Sequence, residues 1–182
     1  NYAIGFQMRL PKDWNGRFFH QGNGGLDGFV ANAVGMTGGG RVLTNALAMG
    51  FAVLSSDAGH TPRQLPLFGR DPQARLDYGY AAVGTLTPMA RHVISAAYGK
   101  APDRSYFGGC SNGGRHAMVA ASRYASDYDG ILAGNPGFNL PKAAVAQLYG
   151  AQQFATVTTG DDLASSIAPD ERRLLAERIL AR

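Results

Sequence analysis

The stretch "GGCSNGGRHAM", residues 108–118, sets a serine between glycines at the spacing Gly109-Cys110-Ser111-Asn112-Gly113, and its reading decides the fold. Before it stands the short apolar run "SYFGG"; after it "GGRHAMVAASRYA" has helical spacing, and "GILAGNP" again reads as a strand. A strand that turns sharply into a helix needs residues without side chains on both sides of the turning residue. Any side chain at Gly109 or Gly113 would collide with neighbouring backbone. Such a turn holds a hydroxyl out of the sheet at a helix N-terminus, where free N–H groups and the helix dipole favour developing negative charge. A serine ahead of a helix also commonly serves as a simple N-cap, and a bare G-x-S-x-G match is a common pattern. The strand before Ser111 and the helix after it favour the nucleophile.

Outward from this centre, residues 2–10 alternate, with Ile4, Phe6, Met8 and Leu10 on one face of a half-buried strand. "PKDWNG" has turn chemistry, so "RFFHQ" is expected to be the hairpin partner of that strand. Glycine-rich loops follow at "GNGG" and "TGGG". Val42, Leu43, Ala46 and Leu47 then recur at helical spacing, Gly50 supplies a stop, and "FAVLSS" reads as a buried strand. From Asp57 to about Gln73 no period is evident and a loop is expected. Thr87-Pro88 has the pattern of an N-cap and first helical residue, with Val93, Ile94, Ala97 and Tyr98 facing inward and Gly99 as the C-terminal cap. A start near Tyr80 with Pro88 as a kink is the alternative. A hairpin followed by alternating helices and strands predicts an α/β fold, a mostly parallel sheet covered by helices.

A chain of 182 residues fits one domain, and 45% hydrophobic against 16% charged residues describes a folded globular protein. The net charge of +4 is mild and its Lys and Arg are scattered, which is no nucleic-acid footprint. No apolar run approaches the ~18 residues that cross a bilayer, and the N-terminus lacks a signal-peptide pattern. Cys110 is the single cysteine, so neither an internal disulfide nor a multi-thiolate metal site can form within this chain. Taken alone, such a cysteine reads as a small buried hydrophobe. The chain opens without Met on a strand pattern and ends inside the helical pattern "PDERRLLAERILAR", as a fragment of a longer protein would.

An ester hydrolase needs donors for the oxyanion. The Asn112 backbone N–H, directly after the nucleophile, is one candidate; an N–H from the early loop "HQGNGG", at Gly24 or Gly25, is the other. The base is harder to find among His20, His60, His92 and His116. Only His116 follows Ser111, and five residues along the same helix it points away from the turn. His92 falls mid-helix. His60 borders the strand end, where with Asp57 a loop-stabilising role is expected. Two rival classes are a phosphate or nucleotide binder built on "GNGG" and "TGGG", which lack the G-x-G-x-x-G and G-x-x-x-x-G-K-[ST] spacings, and a non-catalytic phenolic or carbohydrate binding module.

The stretches "LPKDWNGRFFHQGNGGLDG", "GFAVLSSDAGH", "YGYAAVGTLTPMARHVISAAYGKAPDRSYFGGCSNGGRHAM" and "ASRYASDYDGILAGNPGFN" resemble the tannase and feruloyl esterase family of secreted α/β-hydrolases. The most specific part is "GGCSNGGR" with "DYDGILAGNP" behind it. The resemblance implies that Ser111 is the nucleophile of a serine carboxylesterase acting on small aromatic acyl esters: galloyl, feruloyl or related hydroxycinnamoyl esters, with terephthalate monoesters a further possibility. It implies that Cys110 pairs with a second cysteine beside a downstream catalytic His, in a secreted or periplasmic setting. In the family the catalytic Asp and His lie beyond an inserted lid domain with a calcium site. The expectation is therefore that residues 1–182 are a partial catalytic domain ending before the lid, with no metal or cofactor site of its own and nearly inactive alone. Asn112 stands where Thr is usual, and Gly84 and Arg91 where His and Lys are expected.

Overall fold

The computed structural model describes residues 3–36, 45–157 and 167–181. The chain divides into two units, Asn1–Gly137 and Phe138–Arg182.

The first unit is built on five strands: β1 (Phe6–Arg9), β2 (Arg17–Gly22), β3 (Ala52–Ser56), β4 (Arg104–Cys110) and β5 (Gly130–Gly134). Their order in the sheet is β1-β3-β2-β4-β5. Every pair is parallel except β1 with β3. The expected hairpin of β1 with "RFFHQ" does not form. In β2, Phe18 and His20 are buried on one face and Gln21 on the other, so this strand belongs in the sheet interior with a parallel neighbour on each edge. The "PKDWNG" connection instead crosses the end of β3. Asn15 N donates to Gly50 O at 2.9 Å and Asn15 Nδ2 to Met49 O at 2.6 Å, while Trp14 stacks on Tyr98 with centroids 4.3 Å apart. The expected first strand is also shorter than residues 2–10, and Phe6 and Leu10 are exposed while Ile4 and Met8 pack inward.

Helices α1 (Pro72–Leu76), α2 (Ala82–Tyr98) and α3 (Asn112–Arg123) follow the chain order. Leu86, Ala90 and Ile94 of α2 meet Phe18, Ala52 and Leu54 on one face of the sheet. On that same face Ala117 and Ala120 of α3 pack with Val83 and Phe107. The register explains this sharing: His20 pairs with Leu54 and Phe107, and Phe19 with Val53 and Tyr106, so residues of like parity share a face. On the other face Ala33, Ala46, Phe51 and Val53 cluster. A groove of about 390 Å³ opens there beside Phe19, Tyr106 and Leu132 and includes none of the expected site residues.

The region from Asp57 to Gln73 is more ordered than expected. It contains 3₁₀ turns at Pro62–Gln64 and Leu67–Arg70, and Asp71 caps α1 by accepting from Ala74 N at 2.9 Å. Thr87 is no N-cap. A π-helical turn (Asp77–Ala81) runs directly into α2, Pro88 lies inside the helix, and Thr87 Oγ1 donates back to Val83 O at 2.8 Å. The alternative start near Tyr80 was the correct one, and Gly99 caps the helix at φ 73°. The buried face is Ala82, Val83, Leu86, Thr87, Ala90 and Ile94; of the four expected inward residues Ala97 is exposed and Val93 and Tyr98 only half-buried. At Gly84 a Cβ would lie 2.6 Å from the Tyr124 ring, so a larger residue there requires that ring to shift. Arg91 instead donates from Nη2 to Asp127 O at 3.0 Å.

The helix expected over Val42–Leu47 lies partly outside the described residues and the "TGGG" loop wholly outside them; Ala46 to Gly50 form turns. In the second unit, α4 (Leu140–Val157) and α5 (Pro169–Leu180) are both helical, the latter as its sequence predicts. Among the described residues no helix is long and apolar enough to cross a membrane.

A Cβ at position 109 would lie 2.6 Å from the Gly113 backbone, and backbone cannot move aside as a flexible side chain can. Gly109→Ala is expected to destabilise the protein by about 3 kcal/mol, measured by urea unfolding. Unchanged stability would show that α3 does not depend on this approach.

Candidate active site

Ser111 joins β4 to α3 in a backbone conformation unusual for a residue with a side chain, φ 58° and ψ −118°. A non-glycine residue held there stores roughly 1–3 kcal/mol of strain, and only surrounding structure can maintain it. That structure is visible. Ser111 N donates to Gly134 O at the end of β5, and Ser111 O accepts from both Arg115 N and Gly137 N, each bond at 3.0 Å. The glycines around it admit close backbone contact: side-chain atoms at Gly113 would meet the Gly22 carbonyl, and at Gly114 the Gly134 carbonyl. The side chain of Ser111 makes no capping bond to α3 although it occupies the N-cap position. The serine is exposed at the carboxyl end of a parallel strand, where open α/β sheets place their ligand sites.

The glycine loop that follows β2 reaches the same place. Gly22 pairs with Gly109 across the sheet, and a Cβ on Gly22 would be 2.9 Å from Gly113 O. Beyond it Gly24 and Gly25 have open space where a side chain would stand, and Gly25 has φ 66°. The two halves expected to supply oxyanion donors thus adjoin one another. Cys110, the last residue of β4, is half-buried and its thiol is free.

Among the described residues no hydrogen bond joins any of the four histidines to Ser111. His60 is buried, bonds Leu26 O through Nε2 at 2.9 Å and stacks on Phe68 at 3.7 Å. Asp57 accepts from Gly5 N and Gly59 N, both at 2.9 Å. Both therefore tie loops together. His92 is exposed. His116 points to Asp27, with Nε2 to Oδ2 at 2.7 Å.

Asp27 is the residue that reading the sequence overlooked. It is 3% exposed, has φ 57°, and receives Asn112 Nδ2 at 2.6 Å as well as His116. The His116 hydrogen must sit on Nε2, since a carboxylate only accepts. The nearby Arg115 Nη2 at 3.1 Å is then a contact and not a hydrogen bond. Arg115 spends its other donors on Asn112 Oδ1 at 2.7 Å and on Tyr78 O and Gly79 O in the π-helical turn. Tyr78 OH also donates to Asn112 Oδ1 at 3.0 Å, and burial pushes its ionisation up. One sequence signal was available: Asn112, Arg115 and His116 fall at i, i+3 and i+4, one polar face at the start of an otherwise apolar helix. Among the described residues no cluster of three or more His, Cys, Asp or Glu is arranged to hold a metal.

On the helix-covered face of the sheet, His20 Nδ1 lies 3.1 Å from Thr87 Oγ1 and 3.2 Å from Tyr128 OH. Burial, with a smaller contribution from His116, pushes its pKa from 6.5 down to about 3. As pH falls below about 6.5 the unfolded chain takes up a proton that folded His20 refuses until about 3. Stability is therefore full above about pH 7 and is lost toward pH 3, with a slope approaching ~1.4 kcal/mol per pH unit from this one group. Urea unfolding from pH 7 to 4 should show that slope reduced in His20→Gln; an unchanged slope would refute the assignment to His20.

A family model described as tannase and feruloyl esterase matches residues 1–182. The mono(2-hydroxyethyl) terephthalate hydrolase of Piscinibacter sakaiensis is 40% identical over 193 residues, spanning 98% of this chain and 32% of that protein. Feruloyl esterase B from Aspergillus oryzae matches in structure with TM-score 0.72 and 29% identity, over 88% of this chain and 30% of that one. Tannin acyl hydrolase from Aspergillus niger shares the fold with TM-score 0.57 at 21% identity, over 74% of this chain and 25% of that one. The chain thus spans about a third of the length of the first of these relatives. The five-stranded mixed sheet with its strand-to-helix serine turn is an α/β-hydrolase fold, and the chain belongs to the tannase and feruloyl esterase family.

Proposed function

We propose that this chain is the nucleophile-bearing part of a serine carboxylesterase for aromatic acyl esters, with hydroxycinnamoyl, galloyl and terephthalate monoesters as substrates. The observation that carries the reading is Ser111 itself: an exposed hydroxyl on a strained turn, without a capping bond, at the N-terminus of α3. Strain maintained by three backbone bonds is spent on aiming a side chain, which a helix cap does not require. Ser111 Oγ attacks the ester carbonyl carbon, and its proton passes to a general base. The carbonyl oxygen becomes an oxyanion held by the N–H groups of Asn112 and of Gly24 or Gly25. Collapse expels the alcohol, which takes the proton, and leaves an acyl-serine; water then repeats the sequence and frees the acid.

The base and its orienting acid are supplied by the protein outside these residues, because His20, His60 and His116 are engaged elsewhere and His92 is on the surface. In the full-length protein, Ser111→Ala should lower kcat on a feruloyl or terephthaloyl ester by at least ~10³-fold. A fluorophosphonate probe should label the wild type at Ser111 and leave the variant unlabelled. A fully folded wild type that neither hydrolyses these esters nor takes the probe would be a binding module on the same fold.

Cys110 adjoins the nucleophile, and its half-buried thiol suits a disulfide to a cysteine elsewhere in the full protein, which an oxidising compartment outside the cytoplasm would sustain. Thiol alkylation of the folded full-length protein should modify Cys110 only after reduction. Alkylation without reductant excludes the disulfide.

A further inference from the structure

The oxyanion donors of the proposed reaction belong to separate parts of the chain, the start of α3 and the glycine turn after β2. One residue, Asp27, is bonded to both, through its backbone to the turn and through its buried carboxylate to the helix. Asp27 N donates to Gly24 O at 3.3 Å, closing the turn that contains Gly25. Asp27 Oδ2 accepts from Asn112 Nδ2 and His116 Nε2 at 2.6 and 2.7 Å. Asn112 is gripped from its other side as well, its Oδ1 accepting from Tyr78 OH and Arg115 Nε. Both polar atoms of that amide are therefore satisfied in a buried position, and rotating it would strand several groups without partners.

A role in direct contact with the reacting atoms does not suit Asp27. A negative charge beside a developing oxyanion repels it, and the bonded carboxylate oxygen is already occupied by two donors. Its influence has to run through the groups it holds.

We infer that Asp27 is a positioning residue for ester hydrolysis: by joining the Gly24–Gly25 turn to the side chain of Asn112, it sets the spacing and direction of the two backbone N–H groups that receive the oxyanion. The inference rests on the proposed function. It also gives the Asn112 side chain a task, although the reaction itself needs only the backbone of that residue. The His116 and Arg115 side chains buttress the same tie from the next turn of α3.

The two halves gain their effect only when charge develops on the carbonyl oxygen, so loosening the tie is expected to lower kcat and leave KM nearly unchanged. The experiment uses the full-length enzyme, a nitrophenyl ester of a hydroxycinnamic acid as substrate, and an arylboronic acid as tetrahedral inhibitor. Asp27→Ala and Asn112→Ala should each lower kcat by ~10- to 100-fold, with KM within about twofold and boronate affinity weakened in step with kcat. Asp27→Asn, which retains an acceptor oxygen at the same place, should recover most of the activity. Thermal melts establish that each variant is folded at the assay temperature, and where Asp27→Ala is not, Asn112→Ala and Asp27→Asn carry the test. Wild-type kcat per folded molecule in Asp27→Ala or Asn112→Ala overturns the inference, as does a loss that appears only in KM or only in melting temperature. Hydrolysis that survives Ser111→Ala overturns the underlying reading instead, and this inference with it.

Discussion

The structure depends on one close approach of backbone to backbone, the first turn of α3 set against the ends of β2, β4 and β5. Gly109, Gly113 and Gly114 make it possible, since a Cβ at any of them would meet main-chain atoms of a neighbouring element. Three consequences follow from that contact. The carbonyl of Gly134 comes within reach of Ser111 N, Gly137 N reaches Ser111 O, and Ser111 is held in a conformation it would not adopt alone. The loop after β2 also comes to lie beside the helix N-terminus, because Gly22 is itself in the contact.

Close backbone packing leaves little room for apolar side chains between the loop and the helix, and polar groups fill the space. Asn112, Asp27, His116, Arg115 and Tyr78 form a connected set in which Asn112 and Asp27 each bind on two sides. Such a set is worth having only when it is nearly complete, since a buried polar atom without a partner costs about 1–3 kcal/mol. It also absorbs the irregularity of the helix before it. The π-helical turn releases the Tyr78 and Gly79 carbonyls, and Arg115 takes both while its guanidinium lies 4.3 Å over the Tyr78 ring. Buried His20 marks a different solution on the same sheet face: a polar side chain kept neutral by burial and paired with Thr87 and Tyr128.

Residues 108–118 by themselves determined the local event, strand to tight turn to helix, because the glycine spacing expresses a steric need that is local in sequence. The strands β4 and β5, the extent of α3, the Gly99 cap and the α/β class were legible for the same reason: each rests on short-range periodicity or on a cap. What only the tertiary structure decided were pairings across distance. A turn-rich connector reads as a hairpin locally, yet β2 is buried on both faces and takes parallel neighbours, which sends β1 to the edge beside β3. Thr87-Pro88 imitates a helix start, and only packing of Leu86, Ala90 and Ile94 on the sheet shows the helix running through it. Asp27 was invisible for a related reason. In sequence it is an acidic residue in a glycine loop, and its partners Asn112 and His116 lie 85 and 89 positions away, brought to it by the pairing of β2 with β4.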